Sequence, residues 1–311
     1  MLSRTAAALY WIGRYVERAE FTARLVEATL RLDSLSARPA GQAAWESALR
    51  VTACDLGFAA TGQPVEPQPV SGYLTLARDN PSSIRSCLDA ARDNAKSVRT
   101  ALTRDAWEAI NRAWLGLRGL ATTGGYEETL SLTELIRAET RGFEGALQRM
   151  LRNEAYAFIG MGAAVERADN TARLIDVKYH LLLPEGEKVG GVVDRDQWTT
   201  ILQTVSANTA YRWLYRDGLK PWLVTDMLIL RPELPRSLAG ATEEVANHLA
   251  FVGKRLGRQG EADRMARRRA TMLARTKIDS VFGQGLHEYL EAFVVENALL
   301  DRAIAEQFKF A

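Results

Sequence analysis

Apolar and small residues recur along the chain at spacings of three and four positions. In the N-terminal segment they are Leu9, Ile12, Val16, Ala19, Ala23, Val26 and Leu30. This spacing places them on one face of an α-helix. Alternation of apolar and polar residues, the pattern of a half-buried strand, is hard to find. The pattern therefore predicts an all-α fold, a bundle of roughly ten helices packed through amphipathic faces.

Turn and capping residues mark where the predicted helices begin and end. Asn80 before Pro81 predicts a cap followed by a first-turn proline, and Ser131 with Glu134 has the spacing of a capping box. Long helices are expected from near Asn153 to Leu183-Pro184, from Pro232 and Pro235 to about Leu256, and from about Gln284 to Phe308. Residues 61–72 and 184–193 are rich in proline or glycine and are predicted loops.

Fifteen residues of the first predicted helix recur near the middle of the chain. Residues 13–27 read GRYVERAEFTARLVE and residues 162–176 read GAAVERADNTARLID, with nine identical positions at an offset of 149 (162 − 13). The repeat continues downstream, where Trp45, Pro81, Arg85 and Ser86 recur as Trp198, Pro232, Arg236 and Ser237. Such self-similarity predicts a tandem duplication. We expect two units, residues 1–152 and 153–311, packed as one body.

Charged residues flank the predicted core face in both copies. Gly13, Glu17, Glu20 and Arg24 form a strip beside the apolar stripe, and their counterparts are Gly162, Glu166, Asp169 and Arg173. Glu20 and Arg24 have the spacing of a favourable i,i+4 pair. A glycine inside a helix costs about 1 kcal/mol relative to alanine, so the two glycines indicate a close helix crossing or a ligand near the backbone. The strip is either a set of ion pairs that fixes helix crossings or the lining of a cleft.

Composition and charge exclude several classes of protein. The chain is 47% hydrophobic and 25% charged, which is ordinary for a globular protein, and its net charge of +2 gives no global field for nucleic acid. No apolar run reaches the ~20 residues needed to span a bilayer. We find no secretory segment and only two cysteines, so we expect a cytoplasmic protein that does not span or bind a membrane. Of the 40 basic residues seven are lysines, which leaves 33 arginines (40 − 7), and arginine suits anion binding.

The sequence carries no complete motif for a metal, a nucleotide or an activated nucleophile. Glu17 with Glu20, and Glu166 with Asp169, have the i,i+3 spacing of di-iron bundles, but no histidine accompanies either pair. The three histidines show no ligand spacing: His180, His248 and His287. A P-loop is missing, and Gly160-Met-Gly162 lacks the rest of a dinucleotide fingerprint. We therefore predict no metal and no cofactor.

Three other features are interpreted as structural. Cys87 shares a helix face with Ile84 and Leu88 and is predicted to be a core residue. Aromatic residues crowd one region of the second unit and are predicted to pack in the core, with a pocket between the units as the alternative: Trp198, Tyr211, Trp213, Tyr215 and Trp222. Residues 264–277 are basic, and acidic residues precede them; we interpret this stretch as a helix that faces solvent or a partner, not as a nucleic-acid site.

Several motifs match a known family in order along the chain. They are Trp11-Ile-Gly-Arg14, the twice-used Val-Glu-Arg-Ala-Glu/Asp-x-Thr-Ala-Arg pattern, Asn80-Pro81-x-Ser83-Ile84-Arg85, and Asp176-Val-Lys-Tyr179 before Leu-Leu-Leu-Pro184. Together they resemble the alpha-E family over nearly the whole chain, to about Phe308. The resemblance implies an all-helical fold and a Glu-Arg motif at Glu17-Arg18 and Glu166-Arg167. The second copy departs at Ala163, where relatives tend to carry arginine.

The resemblance implies a role in making or modifying peptides or amide-linked metabolites. Family members look like companions of circularly permuted ATP-grasp amidoligases and of transglutaminase-like cysteine peptidases. We therefore expect a helical component that assists such a ligase or acts on its product, with Glu17 and Glu166 orienting an amine or serving as bases. Candidates for binding the substrate are Arg18, Glu20, Arg24, Arg167, Asp169, Arg173, Asn80, Arg85 and Arg236. A non-catalytic assembly protein, a carboxylate-bound metalloenzyme and self-association all stay open.

Overall fold

A computed structural model of the chain describes residues 1–35, 38–120, 124–180 and 191–310. These residues form fifteen α-helices and one short 3-10 helix, and they contain no strand. The all-α prediction is therefore confirmed. The expected number of about ten helices is wrong, because several short helices occupy segments that look like turns in the sequence.

The first eight structural elements come from the first half of the chain. They are α1 (Ser3–Leu35), α2 (Arg38–Val51), α3 (Asp55–Ala59), α4 (Pro67–Thr75), α5 (Ile84–Ser97), a 3-10 turn (Arg99–Ala101), α6 (Arg104–Leu117) and α7 (Tyr126–Gln148). The remaining helices come from the second half. They are α8 (Glu154–His180), α9 (Val192–Thr204), α10 (Asn208–Tyr215), α11 (Pro221–Leu230), α12 (Leu238–Leu256), α13 (Glu261–Arg275), α14 (Ile278–Gln284) and α15 (Leu286–Phe308).

Several predicted helix starts are wrong, and each error has a local cause. Helix α5 begins at Ile84 with Ser83 as its cap, so Asn80 lies in the turn before it. Helix α12 is capped by Ser237 in the same way, although its predicted end at Leu256 is confirmed. Ser131 lies inside α7, which begins after Gly125 instead. At α5 and α12 a later serine supplies the acceptor for a free N–H group of the first turn. Helix α7 instead starts earlier than predicted, where the Glu128 carboxylate accepts from the N–H of Gly125.

The two predicted loops also differ from the structure. Helix α4 begins at Pro67, inside the segment 61–72, because proline suits a first helical turn whose N–H groups need no partner. In the second loop, residues 184–190 lie outside the described residues, and so does the predicted helix end at Leu183-Pro184, while α9 begins at Val192. The last long helix is confirmed at Leu286–Phe308.

Helices α1 and α8 form the centre of the fold. Every residue of the predicted α1 stripe is buried, from Leu9 to Leu30. Helix α1 packs against α5 and α7, and α8 packs against α12 and α15. Trp45 on α2 and Trp198 on α9 are both buried in one hydrophobic cluster. Corresponding helices therefore occur in the same order in both halves, as a duplication would predict; the duplication itself stays a prediction.

The two repeated glycines lie where α1 and α8 cross. A Cβ atom on Gly13 would lie 2.0 Å from the carbonyl oxygen of Ile159, and a Cβ atom on Gly162 would lie 2.0 Å from that of Tyr10. Real Cβ atoms do not approach an oxygen so closely, so the backbones can touch here only because neither residue has a side chain. This contact confirms the close-crossing interpretation of the glycines.

Other structural predictions have mixed outcomes. Cys87 is fully buried, as predicted, but Trp213 and Trp222 are exposed. Tyr211 is the only buried residue of α10, and Trp222 lies at the start of α11, just before the buried residues 223–229. The basic segment forms α13, in which most arginines are exposed, while Arg269 is buried over the ring of Phe293. No helix among the described residues is long and apolar enough to cross a membrane.

Candidate functional site

Two glutamate–arginine pairs link α1 and α8 reciprocally. The Nε atom of Arg18 on α1 donates to Oε1 of Glu166 on α8 at 2.6 Å. The Nη2 atom of Arg167 on α8 donates to Oε2 of Glu17 on α1 at 2.9 Å. The carboxylate of each Glu-Arg dipeptide is therefore bound by the arginine of the other. Both glutamates are almost completely buried.

A second arginine binds each glutamate, but it comes from a different place in each half. Arg14 donates to Glu166 at 2.6 Å. Arg236, from the turn before α12, donates to Glu17 at 2.5 Å. The counterpart of Arg14 in the second copy is Ala163, which cannot bind Glu17. Arg236 supplies the missing charge, so the departure from the family pattern at Ala163 is compensated in space.

The paired arginines control how the two buried glutamates ionise. Burial alone would raise the pKa of Glu17, but the charges and hydrogen bonds of Arg167 and Arg236 lower it to about 2. Burial likewise opposes the charges of Arg14 and Arg18 at Glu166, and its pKa is lowered as well. Both carboxylates are therefore ionised at neutral pH, which makes them weak bases there.

The larger of two cavities beside the crossing contains Glu17. This Glu17 cavity has a volume of about 750 Å³, and charged side chains from four helices and from the turn before α12 line it: Glu17, Glu20, Arg24, Arg141, Glu144, Arg167, Arg236 and Glu244. Arg236 donates to Glu20 at 2.6 Å, and Arg167 donates to Glu244 at 3.0 Å. Acidic and basic groups thus alternate around one space, which is an arrangement suited to a ligand that carries both charges.

Glu144 differs from the other acids of this cavity. It lies on α7, its side chain is about half exposed, and the nearest guanidinium nitrogen, on Arg167, lies 3.8 Å away. Burial, followed by the charges of Glu17 and Glu20, raises the pKa of Glu144. A carboxyl group with a raised pKa and access to the cavity can gain and lose a proton more readily near neutral pH than Glu17 can.

The second cavity lies beside Glu166. This Glu166 cavity has a volume of about 270 Å³, and its charged lining comprises Arg14, Arg18, Glu166, Asp169, Arg173 and Asp301. Arg173 donates to Asp169 at 2.8 Å, and Arg14 donates to Asp301 at 2.7 Å. The predicted Glu20–Arg24 pair is also present beside the larger cavity, where Arg24 contacts Glu20 and Ser206.

Two predicted site residues lie apart from both cavities. Asn80 binds the backbone, donating to the carbonyl oxygen of Tyr73 at 3.0 Å and accepting from the N–H of Ser82 at 2.9 Å. Arg85 donates to the carbonyl oxygen of Leu117 at 3.0 Å, close to the end of α6. These contacts hold helix ends in place, so the structure does not bring Asn80 or Arg85 to the site. The repeat is therefore misleading at Arg85, whose counterpart Arg236 does reach the cavity.

Sequence reasoning missed five charged residues that the structure brings to the cavities: Arg14, Arg141, Glu144, Glu244 and Asp301. Arg14 is buried and donates to Glu166. Its presence in the Trp11-Ile-Gly-Arg14 motif was a usable signal. The three acids lie on α7, α12 and α15, and no spacing along the sequence ties them to Glu17 or Glu166.

Histidines and acidic residues form no metal cluster in the part of the chain that the structure describes. There, no group of three or more histidine, cysteine, aspartate or glutamate side chains is arranged to hold a metal ion. His248 lies 3.6 Å from Glu244, and His287 lies 2.7 Å from Asp176. The side chain of His180 lies outside the described residues.

The fold and the site together define an all-helical protein built around buried Glu-Arg pairs. A family model matches residues 1–308, and its family, Alpha-E, is described as a predicted alpha-helical domain with a conserved ER motif. The chain belongs to the Alpha-E family. Its sequence contains the dipeptide Glu-Arg twice, at Glu17-Arg18 and Glu166-Arg167. No curated protein and no solved structure matches the chain.

Proposed function

We propose that this chain is a helical component of an amidoligase or peptide-modification system and binds the substrate or product of a partner ligase in the Glu17 cavity. The observation that carries the proposal is the lining of one space of about 750 Å³ by both carboxylates and guanidinium groups. A peptide or an amide-linked metabolite carries amino and carboxylate groups, and this lining offers an oppositely charged partner for each. The expected partners are a circularly permuted ATP-grasp ligase and a transglutaminase-like peptidase.

The acids of the cavity have different roles in this proposal. Glu17, with a pKa of about 2, holds Arg167 and Arg236 in place and is not the base. Arg236 and Arg24 bind the carboxylate of the ligand, since both reach the wall of the cavity. Glu144, whose pKa is raised, receives or donates the proton of the reacting amine. The proton-transfer role thus moves from Glu17 and Glu166 to a residue on α7.

The test combines the purified chain with a circularly permuted ATP-grasp ligase from the same genome. Size-exclusion chromatography reports complex formation, and coupled assays report ATP hydrolysis and the mass of the amide product. We expect the two proteins to elute together and the yield or mass of the product to change when the chain is added. The proposal fails if the proteins elute separately and neither ATP hydrolysis nor product changes.

A second candidate function, a non-catalytic assembly protein, has its own supporting observation. Glu17 and Glu166 are each bound by two arginines, and the motif arginines Arg18 and Arg167 are used across the helix crossing. Such pairs can serve only to fix the crossing geometry. In that case Glu144→Gln leaves the ligase-coupled product unchanged, whereas substitution in a reciprocal pair lowers the stability of the fold.

A further inference from the structure

A separate cavity on the other side of Arg24 carries an excess of positive charge. Its volume is about 430 Å³, and α1, α7 and the turn between α9 and α10 line it. We call it the Arg137 cavity and define it by Arg24, Arg31, Tyr126, Arg137, Ser206 and Thr209. Three arginines and one glutamate, Glu27, lie in this lining, which gives a formal charge of +2 (3 − 1). An anion is therefore the ligand that this space favours.

The arginines of this cavity have donors to spare. Arg137 contacts Glu27 through Nη1, but its Nε atom is buried and has no hydrogen-bond partner. Arg31 is exposed, and it forms no ion pair with any residue that the structure describes. The enclosed Nε atom of Arg137 cannot reach a ligand in the cavity, whereas the exposed Arg31 guanidinium can offer all of its donors to one.

The first turn of α10 adds backbone donors to the same wall. Asn208 and Thr209 line the cavity, and Ala207, the residue before the helix, supplies no side chain to cap the first N–H groups. The uncapped start of a helix attracts negative charge through these N–H groups and the helix dipole. Ser206 immediately before it has a φ of 57°, a left-handed conformation that is costly for a residue with a side chain. The side chain of Ser206 contacts Arg24.

We propose that the Arg137 cavity binds a phosphate group. A phosphate presents three or more strong acceptor oxygens and close to two negative charges, which match three guanidinium groups, a helix start and a formal charge of +2. A carboxylate has two oxygens and one charge, and it leaves part of this lining unpaired. The site shares Arg24 and Ser206 with the wall of the Glu17 cavity, but its other arginines, Arg31 and Arg137, line only the Arg137 cavity, and phosphate binding there does not depend on an amidoligase partner.

Isothermal titration calorimetry of the full chain with inorganic phosphate at low ionic strength tests the proposal. Arg31→Gln removes an exposed charge with no described ion pair, so the fold persists, and we expect phosphate binding to weaken about tenfold. Arg137→Gln is expected to weaken it at least as much. Arg4→Gln is the matched control, because it removes the same charge from the exposed far end of the same helix, about 40 Å from Arg31.

The phosphate affinities of the unmodified chain and of the two variants decide whether the site exists. Saturable phosphate binding that Arg31→Gln weakens and Arg4→Gln preserves supports the site. Absence of saturable binding to the unmodified chain, an unchanged affinity in Arg31→Gln, or an equal loss in Arg4→Gln overturns it. Acetate binding as tightly as phosphate overturns the assignment to phosphate. A parallel titration with O-phosphoserine identifies the kind of phosphate ligand. If O-phosphoserine binds more tightly than inorganic phosphate, the ligand is a phosphorylated organic molecule; if inorganic phosphate binds at least as tightly as O-phosphoserine, the ligand is the free ion. Both results support a phosphate site.

Discussion

Arg167 and Glu17 belong to different halves of the chain, yet Nη2 of Arg167 lies 2.9 Å from Oε2 of Glu17. Arg18 and Glu166 form the converse pair at 2.6 Å. The glutamate of each pair is buried, and both pairs lie beside a helix crossing that only glycine permits. Because an unpaired buried charge is far more costly than a paired one, the pairs favour the one register of α1 against α8 in which all four charges meet.

Removing one partner of a reciprocal pair should destabilise the fold strongly. Arg167→Ala leaves Glu17 buried with a single arginine, and it also removes a partner of Glu244. We expect a loss of about 3–5 kcal/mol in the free energy of unfolding, measured by urea denaturation. Arg264→Ala is the control, since Arg264 and its partner Glu261 are exposed, and it should change stability by less than about 1 kcal/mol. Equal effects of the two substitutions would contradict the buried-pair argument.

The glycine crossing gives a second prediction. A methyl group at Gly13 or Gly162 would overlap a backbone carbonyl oxygen, so alanine at either position must push α1 and α8 apart. We expect each substitution to cost about 3 kcal/mol in the free energy of unfolding. Gly145→Ala on α7 is the matched control, because nothing lies within 4 Å of the added methyl group. It should stabilise the protein by up to about 1 kcal/mol through helix propensity. A neutral Gly13→Ala would show that the helices are not in close contact.

The sequence predicted the parts of this architecture that depend on local periodicity. The apolar stripe of α1 and the polar strip beside it follow from residue spacing on one helix. The cost of Gly13 in a helix left two explanations, a close helix crossing or a ligand near the backbone, and the structure shows the crossing. Contacts between distant segments do not follow in this way. Nothing in the local sequence distinguishes Arg236, which reaches Glu17, from its counterpart Arg85, which binds backbone carbonyl groups. That difference depends on how the turns before α5 and α12 are placed against the central helices.

The lowered pKa of Glu17 predicts a specific dependence of stability on pH. Its pKa falls from 4.5 to about 2 on folding, so the folded state binds the proton more weakly than the unfolded state. The stabilisation is therefore fully present above pH 4.5 and is lost as the pH falls towards 2. We expect the difference in unfolding free energy between the unmodified protein and Glu17→Gln to shrink over this interval. Glu233→Gln, at an exposed position, is the control for the effect of a Glu-to-Gln substitution in itself. A constant difference for Glu17→Gln would argue against the assigned shift.

Both cysteines should be inert in the folded protein. Burial raises the pKa of Cys87 to about 12 and also raises that of Cys54, so neither thiol is ionised at neutral pH. A thiol reagent such as dithionitrobenzoate should release no signal from the native protein and should count two thiols after denaturation. Rapid reaction of either cysteine in the native state would indicate an accessible thiolate and reopen a nucleophilic role.

Substitution of Glu144 tests whether its carboxyl group takes part in a reaction or only in the structure of the fold. Its side chain is about half exposed and makes only one long ion contact, so Glu144→Gln should change the free energy of unfolding by less than about 0.5 kcal/mol. If Glu144 transfers a proton, the same substitution lowers product formation in the ligase-coupled assay about 100-fold.

Since the pKa of Glu144 is raised, the unmodified chain should also show an inflection in the pH–rate profile above 4.5 that Glu144→Gln removes. Glu134→Gln, on an exposed position of the same helix, should leave both rate and profile unchanged. An inflection that persists in Glu144→Gln would place the proton transfer on another group, because loss of packing alone does not remove a titration.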